Sequence, residues 1–232
     1  PTQEELKYLA TADREFQKMV EQLCQSSPPA PAEHVCEESL VDWVARVLAE
    51  RRLPTGTVKD WPSFERRDPE FARCARLFLV GRGRLIPEGV PVPPPDDMPG
   101  LLPEIGVLIP VLDRYIRHRL RRSPHPADHE LADGAIARLR VLGVQITETG
   151  PRACASPVGR VMAYSRAKTD ALLPVLKAEY AVLGERIRAV VIADYEKTSA
   201  VAPEVAHLLD EEAGGAIAAF RALLRDAVTD RL

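Results

Sequence analysis

Between residues 114 and 122 the chain places Arg114, Arg117, His118, Arg119, Arg121 and Arg122 within a few turns of one another. Arg114, Arg117 and Arg121 fall on one helical face, so their guanidiniums are spaced to meet successive phosphates of a nucleic-acid strand. The same residues, coming at the end of a helix before Ser123-Pro124, also suit the negative end of the helix dipole and a solvated surface. His125 and His129 have the i, i+4 spacing of helical zinc ligands, but Pro124 and Pro126 flank His125 and oppose a regular helix through both. No metal is expected at these histidines. Cys24, Cys36, Cys74 and Cys154 are scattered without a C-x-x-C pair, which predicts buried free thiols in place of a zinc site or a disulfide framework.

Other chemistry-bearing strings fall short of a catalytic site. The run Val205-Ala206-His207-Leu208-Leu209-Asp210-Glu211-Glu212-Ala213 superficially matches a strand ending in magnesium-binding acids. Yet His207 interrupts it, Pro203 precedes it, and no G-x-x-x-x-G-K-[ST] phosphate cradle occurs in the chain. Acidic residues preceding a helix N-terminus explain it as well. Ser156, Ser165 and Ser199 have no histidine and aspartate arranged with them in a recognisable motif, and Gly81-Arg82-Gly83 is a fragment of a glycine loop. No catalytic residue and no metal ligand is therefore assigned.

The elements that would position the basic cluster read as helices. Thr2 and Glu5 have capping-box spacing, and Leu9, Ala12, Phe16, Met19 and Leu23 continue in a heptad stripe that stops at Ser26-Ser27-Pro28-Pro29-Ala30-Pro31. A second helix from about Ser39 carries Leu40, Trp43, Val44, Val47 and Leu48 and ends before Pro54-Thr55-Gly56. Asp68 caps a third, with Pro69 in its first turn and Phe71, Ala75, Phe78 and Leu79 on one face. Prolines crowd 86–103 and predict an extended surface connector. Helices resume over about 104–121 and 126–142, the first burying Ile105, Leu108, Ile109, Leu112, Tyr115 and Ile116.

After Gly143 the pattern changes. Val144-Gln145-Ile146-Thr147 alternates with strand period, Gly150-Pro151 is a turn signal, and Ser156-Pro157 starts a helix. A further helix capped by Ser165 runs to Leu183, with Pro174 expected to kink or divide it. Ile187 to Ala193 is nearly continuously apolar, the pattern of a strand buried on both faces of a helix-covered parallel sheet. A last helix is expected over about 214–225. The fold class is mainly α, with a helical domain over 1–150 followed by the beginning of an α/β domain over 151–232.

Composition narrows the partners. With 46% hydrophobic residues the chain can bury a core, and a net charge of −3 leaves no global attraction for nucleic acid or acidic membranes. Any such contact must be a local patch. The most apolar run, Leu101 to Leu112, is broken by Pro103, Glu104, Gly106 and Pro110, so no membrane span is expected, and a cytoplasmic location is expected from the missing signal sequence.

Ser165-Arg166-Ala167-Lys168-Thr169-Asp170-Ala171-Leu172-Leu173, with Arg188-Ala189-Val190-Val191-Ile192-Ala193-Asp194-Tyr195-Glu196 after it, resembles the opening of the second motor domain of superfamily 2 helicases. The segment Pro1-Thr2-Gln3-Glu4-Glu5-Leu6-Lys7-Tyr8-Leu9 is similar to the stretch just beyond the first motor domain in bacterial DEAD/DEAH-box helicases of the XPB type. The resemblance implies that residues 1 to about 150 form a helical insertion and that those from about 156 begin the second, RecA-like motor. It implies ATP-driven movement on DNA or RNA, with ATP and Mg2+ held by the parent protein and no cofactor held by this segment. Phosphate-loop lysine, magnesium-binding acids and arginine finger are unmatched here. Nucleic-acid contact is expected at Arg114, Arg117, Arg121 and Arg122, with Lys168 and Lys197 near the motor end. The competing expectation is a non-enzymatic helical interaction module that docks or self-associates through the stripe of its first helix.

Overall fold

The computed structural model describes residues 3–25, 38–97, 105–163, 166–193 and 215–224. It is mainly α-helical, with two small two-stranded antiparallel sheets. The chain divides into two compact units. The larger comprises Glu15–Leu139 and Val144–Ala153, and the smaller comprises Pro1–Arg14, Arg140–Gly143 and Cys154–Leu232.

In the larger unit the elements form where local chemistry favours them. Helix α2 (Leu40–Glu50) is capped by Ser39, whose side chain accepts from the Asp42 amide. Arg51 closes it in the left-handed conformation (φ 52°), donating to the carbonyls of Val47 and Leu48, and this reversal sends the chain into the hairpin β1 (Arg52–Leu53) and β2 (Gly56–Thr57). Asp60 caps α3 (Trp61–Arg67), and Asp68 caps α4 (Pro69–Gly81) by accepting from the Phe71 amide. Each of these two helices has proline in its first turn, where the missing N–H costs nothing.

Helix α5 (Ile105–His118) crosses α4 and passes through Pro110. A 3-10 turn (Leu120–Arg122) then leads to α6 (Pro126–Val141). An aromatic chain joins these elements: Trp61 to Phe64 at 5.2 Å, Phe64 to Phe71 at 6.4 Å, Phe71 to Trp43 at 6.1 Å, and Trp43 to Tyr115 at 5.4 Å between ring centroids. Most of these contacts are edge-on, the arrangement that the ring quadrupole favours. Leu40, Leu48, Leu77, Phe78, Leu79, Leu112 and Ile116 complete a fully buried core around it.

From Glu15 onward, α1 (Gln3–Cys24) lies within this unit, with Phe16, Met19, Val20 and Leu23 buried. Arg138 of α6 donates to Glu15 at 3.3 Å, and Arg82 at the end of α4 pairs with Glu21. The apolar stripe expected to dock a partner is thus largely consumed by packing inside the chain. The strand expected at Val144–Thr147 forms β3 and pairs with β4 (Gly150–Ala153), Ile146 opposite Pro151. Gly150, anticipated as a turn position, instead begins the second strand; Glu148 and Thr149 make the turn.

The smaller unit is built differently. Ser156 caps α7 (Pro157–Ala163), its hydroxyl accepting from the Gly159 amide at 2.8 Å. Helix α8 (Arg166–Leu183) runs undivided through Pro174 and contacts α9 (Ala216–Leu224). The buried strand expected at Ile187–Ala193 is not present. Ile187 is buried, but the residues after it carry no strand pairing, and Val190 and Ile192 are 86% and 87% exposed. A strand needs a neighbour to receive its N–H and C=O groups, and no neighbour exists among the described residues. Ser165, Lys197 and the Val205–Ala213 string lie outside the described residues.

Candidate functional site

The basic cluster of α5 splits between two environments. Arg117 is fixed from two sides: its Nε and Nη2 donate to both carboxylate oxygens of Asp113 at 2.8 and 2.7 Å, and its Nη1 donates to the Glu148 carbonyl at 2.8 Å. Asp113 is 3% exposed and lies on α5 like Arg117, so the bidentate pair orients the guanidinium whose bond to the Glu148 carbonyl fastens α5 to the β3–β4 turn. Arg121 pairs with Asp133 of α6 near the surface. Arg114 pairs with Asp68, the cap of α4, and lies 5.9 Å over the Phe71 ring. Arg122 is exposed and makes no ion pair among the described residues. The structure therefore does not present Arg114, Arg117 and Arg121 as one free row. Lys168, on α8 in the smaller unit, is exposed.

Arg114 and Arg122 instead open onto a cleft of about 350 Å³ in the larger unit. Helix α2 contributes Trp43, Arg46 and Val47 to it, and the hairpin after α2 contributes Arg52, Leu53, Pro54 and Gly56. Asp68 and Phe71 come from the start of α4, and His118 and Arg119 from the end of α5. Among the described residues five guanidiniums thus border one space, and Asp68 is the only carboxylate that lines it.

Most of these arginines are held from behind. Arg46 grips Glu38 through Nε at 2.6 Å and Nη2 at 2.8 Å, and reaches Glu50 at 3.2 Å. Arg119 lies 3.5 Å from Asp128 and 3.7 Å from Glu38, while Arg52 has only a 3.7 Å contact with Glu50. Tyr115 donates to the Glu38 carbonyl at 2.8 Å and so helps to hold that carboxylate's segment against the core. Anchored guanidiniums lose less side-chain freedom when they meet an anion.

His118 reports the electrostatics of the cleft. Burial, and then the positive charges of Arg117, Arg114 and Arg122, push its pKa from 6.5 down to about 4, against a smaller opposing effect of Asp113. Its Nε2 is 3.5 Å from Arg114 Nη1, and its buried Nδ1 has no hydrogen-bond partner among the described residues. Burial alone favours the neutral imidazole, and the neighbouring guanidiniums favour it further.

No three-residue group of histidine, cysteine, aspartate or glutamate able to hold a metal occurs among the described residues. His129 Nε2 meets the Ser123 carbonyl at 2.8 Å, and His125 precedes α6. Cys74 is buried, whereas Cys24 and Cys154 are half-buried and Cys36 lies outside the described residues. Burial pushes the Cys24 thiol up to about 11, which makes it a poor nucleophile. Among the described residues no helix is long and apolar enough to cross a membrane.

Arg46, Arg52 and Asp68 carry no signal of a site in the sequence. Each is ordinary in its own segment and joins the cleft only through packing of α2 and α4 on α5. No protein-family model, curated protein or solved structure matches the chain.

Proposed function

We propose that this chain is a segment of an ATP-driven nucleic-acid motor, with its larger helical unit as an accessory body and the residues from about 156 onward opening the second motor domain. The observation that carries the reading is the run Arg188–Ala193. It is apolar from Ala189 onward, follows a long helix after one 3-10 turn, and exposes Val190 and Ile192 without a pairing strand among the described residues. That is how an inner strand of a helix-covered sheet looks when its neighbouring strands belong to other polypeptide. Val175 and Val182 on α8 and Phe220 and Leu224 on α9 are also exposed, as expected of helices whose covering layer is absent.

ATP and Mg2+ belong to the parent protein on this reading. Arg114, Arg117, Arg121 and Arg122 are proposed to meet DNA or RNA, with Lys168 and Lys197 at the motor end; Arg122 is the most available of the four arginines. A free-standing interaction module acting through α1 has less support, because Phe16 and Leu23 are already buried.

The direct test is the whole reading frame. A phosphate-loop lysine motif encoded upstream, an arginine finger downstream, and nucleic-acid-stimulated ATP hydrolysis by the complete product are expected. A frame with neither motif, or a product without ATPase activity, rejects the motor. For the arginines, replacing all four by glutamine should weaken single-stranded DNA binding and flatten its salt dependence in fluorescence anisotropy. Unchanged binding across the salt series rejects that assignment.

A further inference from the structure

The cleft between α2, α4 and the end of α5 is more basic than its structural duties require. Arg46, Arg52, Arg114 and Arg119 are met by Glu38, Glu50, Asp68 and Asp128, which leaves Arg122 without a counter-charge among the described residues. Arg52 is also weakly held, at 3.7 Å from Glu50. Guanidiniums that only braced a fold would be expected to end in carboxylates and close the space between them. Here they surround about 350 Å³ of open volume with an apolar wall that includes Val47, Leu53 and Phe71. Small-molecule sites commonly have this composition: an apolar cradle with a few converging polar groups, in a space of roughly 300–1,000 Å³.

We propose that this cleft is a binding site for a phosphate ester, with Arg52 and Arg122 as the principal contacts and Arg114 and Arg119 as anchored supporting donors. The planar fork of arginine matches phosphate oxygens two at a time, and charge-assisted bonds of this kind are stronger than neutral ones. The apolar wall accommodates the group esterified to the phosphate. The ligand would supply the counter-charge that Arg122 lacks among the described residues. The inference rests on the cleft and stands or falls independently of the motor reading.

Inorganic pyrophosphate is the probe, titrated into the 232-residue chain by isothermal calorimetry at low salt. Saturable binding is expected, weakened about tenfold or more in the double variant Arg52→Gln/Arg122→Gln through the loss of charge-assisted bonds. Both residues are exposed, so helicity by circular dichroism should be unchanged. Arg84→Gln, which removes an exposed arginine paired with Asp42 outside the cleft, should bind like the parent.

A second readout locates the probe. The His118 imidazole, titrated by NMR, should move upward from about 4 when pyrophosphate is present. The added negative charge offsets Arg114, Arg117 and Arg122 and adds to Asp113. Arg46, Arg52, Arg119 and Asp68 border the same space and are the other charged groups that the probe would meet there.

Absence of saturable binding overturns the proposal. So does binding that survives the double variant or leaves His118 unmoved. The source of the phosphate is then read by competition. Displacement of pyrophosphate by an oligothymidine lacking terminal phosphates assigns the site to a nucleic-acid backbone, and failure to displace assigns it to a small phosphorylated compound.

Discussion

The two units of this chain bury their apolar residues to different extents, although Leu85 and Val92 of the larger unit are exposed as well. In the larger unit the aromatic chain from Trp61 to Tyr115 and the leucines around it are buried. In the smaller unit Val161 and Ile187 are buried, but Val175, Val182, Val190, Ile192, Phe220 and Leu224 are exposed. Burial of apolar surface is the main favourable contribution to folding, so the larger unit holds its own core while the smaller one leaves much of its apolar surface in water. Similar apolar runs therefore acquire different structures according to the polypeptide that lies beside them.

Substitutions in each unit put this contrast at risk. The largest effect is expected for Phe78→Ala in the larger unit, about 3–5 kcal/mol of lost stability in urea unfolding, because it empties a fully buried site. The paired change Val190→Ser/Ile192→Ser in the smaller unit should cost no more than about 0.5 kcal/mol per residue. A comparable loss from both would erase the distinction between the units.

Next comes Asp113→Ala, expected to cost about 3 kcal/mol because it strands Arg117 beside a buried site. Arg121→Ala, which breaks the exposed pair with Asp133, should cost less than about 1 kcal/mol. Equal costs would mean that the pair with Asp113 does not hold Arg117 in place to fasten α5 to the hairpin. A smaller change is expected for Tyr115→Phe, about 1 kcal/mol, from the lost hydrogen bond to the Glu38 carbonyl.

The subtlest effect is on pH dependence. His118 in the folded chain titrates at about 4, below its ordinary 6.5, so the unfolded chain binds a proton that the folded chain refuses. The contribution of His118 to stability is complete above about pH 6.5 and declines as pH falls through that value toward 4. His118→Gln should flatten this limb in urea midpoints measured from pH 7 to 4. An unchanged slope would remove His118 from the electrostatics of the cleft.

The helices are legible in the sequence where their signals are local. Ser39 and Asp68 cap the helices that their sequences announce, and the apolar face of α2 is the face that packs. Pro174 is a poor guide to a helix division here, because a helix can continue through a proline when its neighbours tolerate the lost bond, as α5 also does at Pro110. The cleft is only partly legible: Arg114 and Arg122 stand out in a basic string, whereas Arg46 and Arg52 reach it through tertiary packing alone. The segment after Ile187 has the composition of a strand but no pairing among the described residues, since strand structure belongs to the pair and not to the single segment.

Amide hydrogen exchange at Arg188–Ala193, compared between this chain and the product of the whole reading frame, tests that last point most directly. Rapid exchange in the chain alone, with protection at least about a hundredfold greater in the complete product, is expected if the segment becomes a paired strand. Equal, unprotected exchange in both would contradict it.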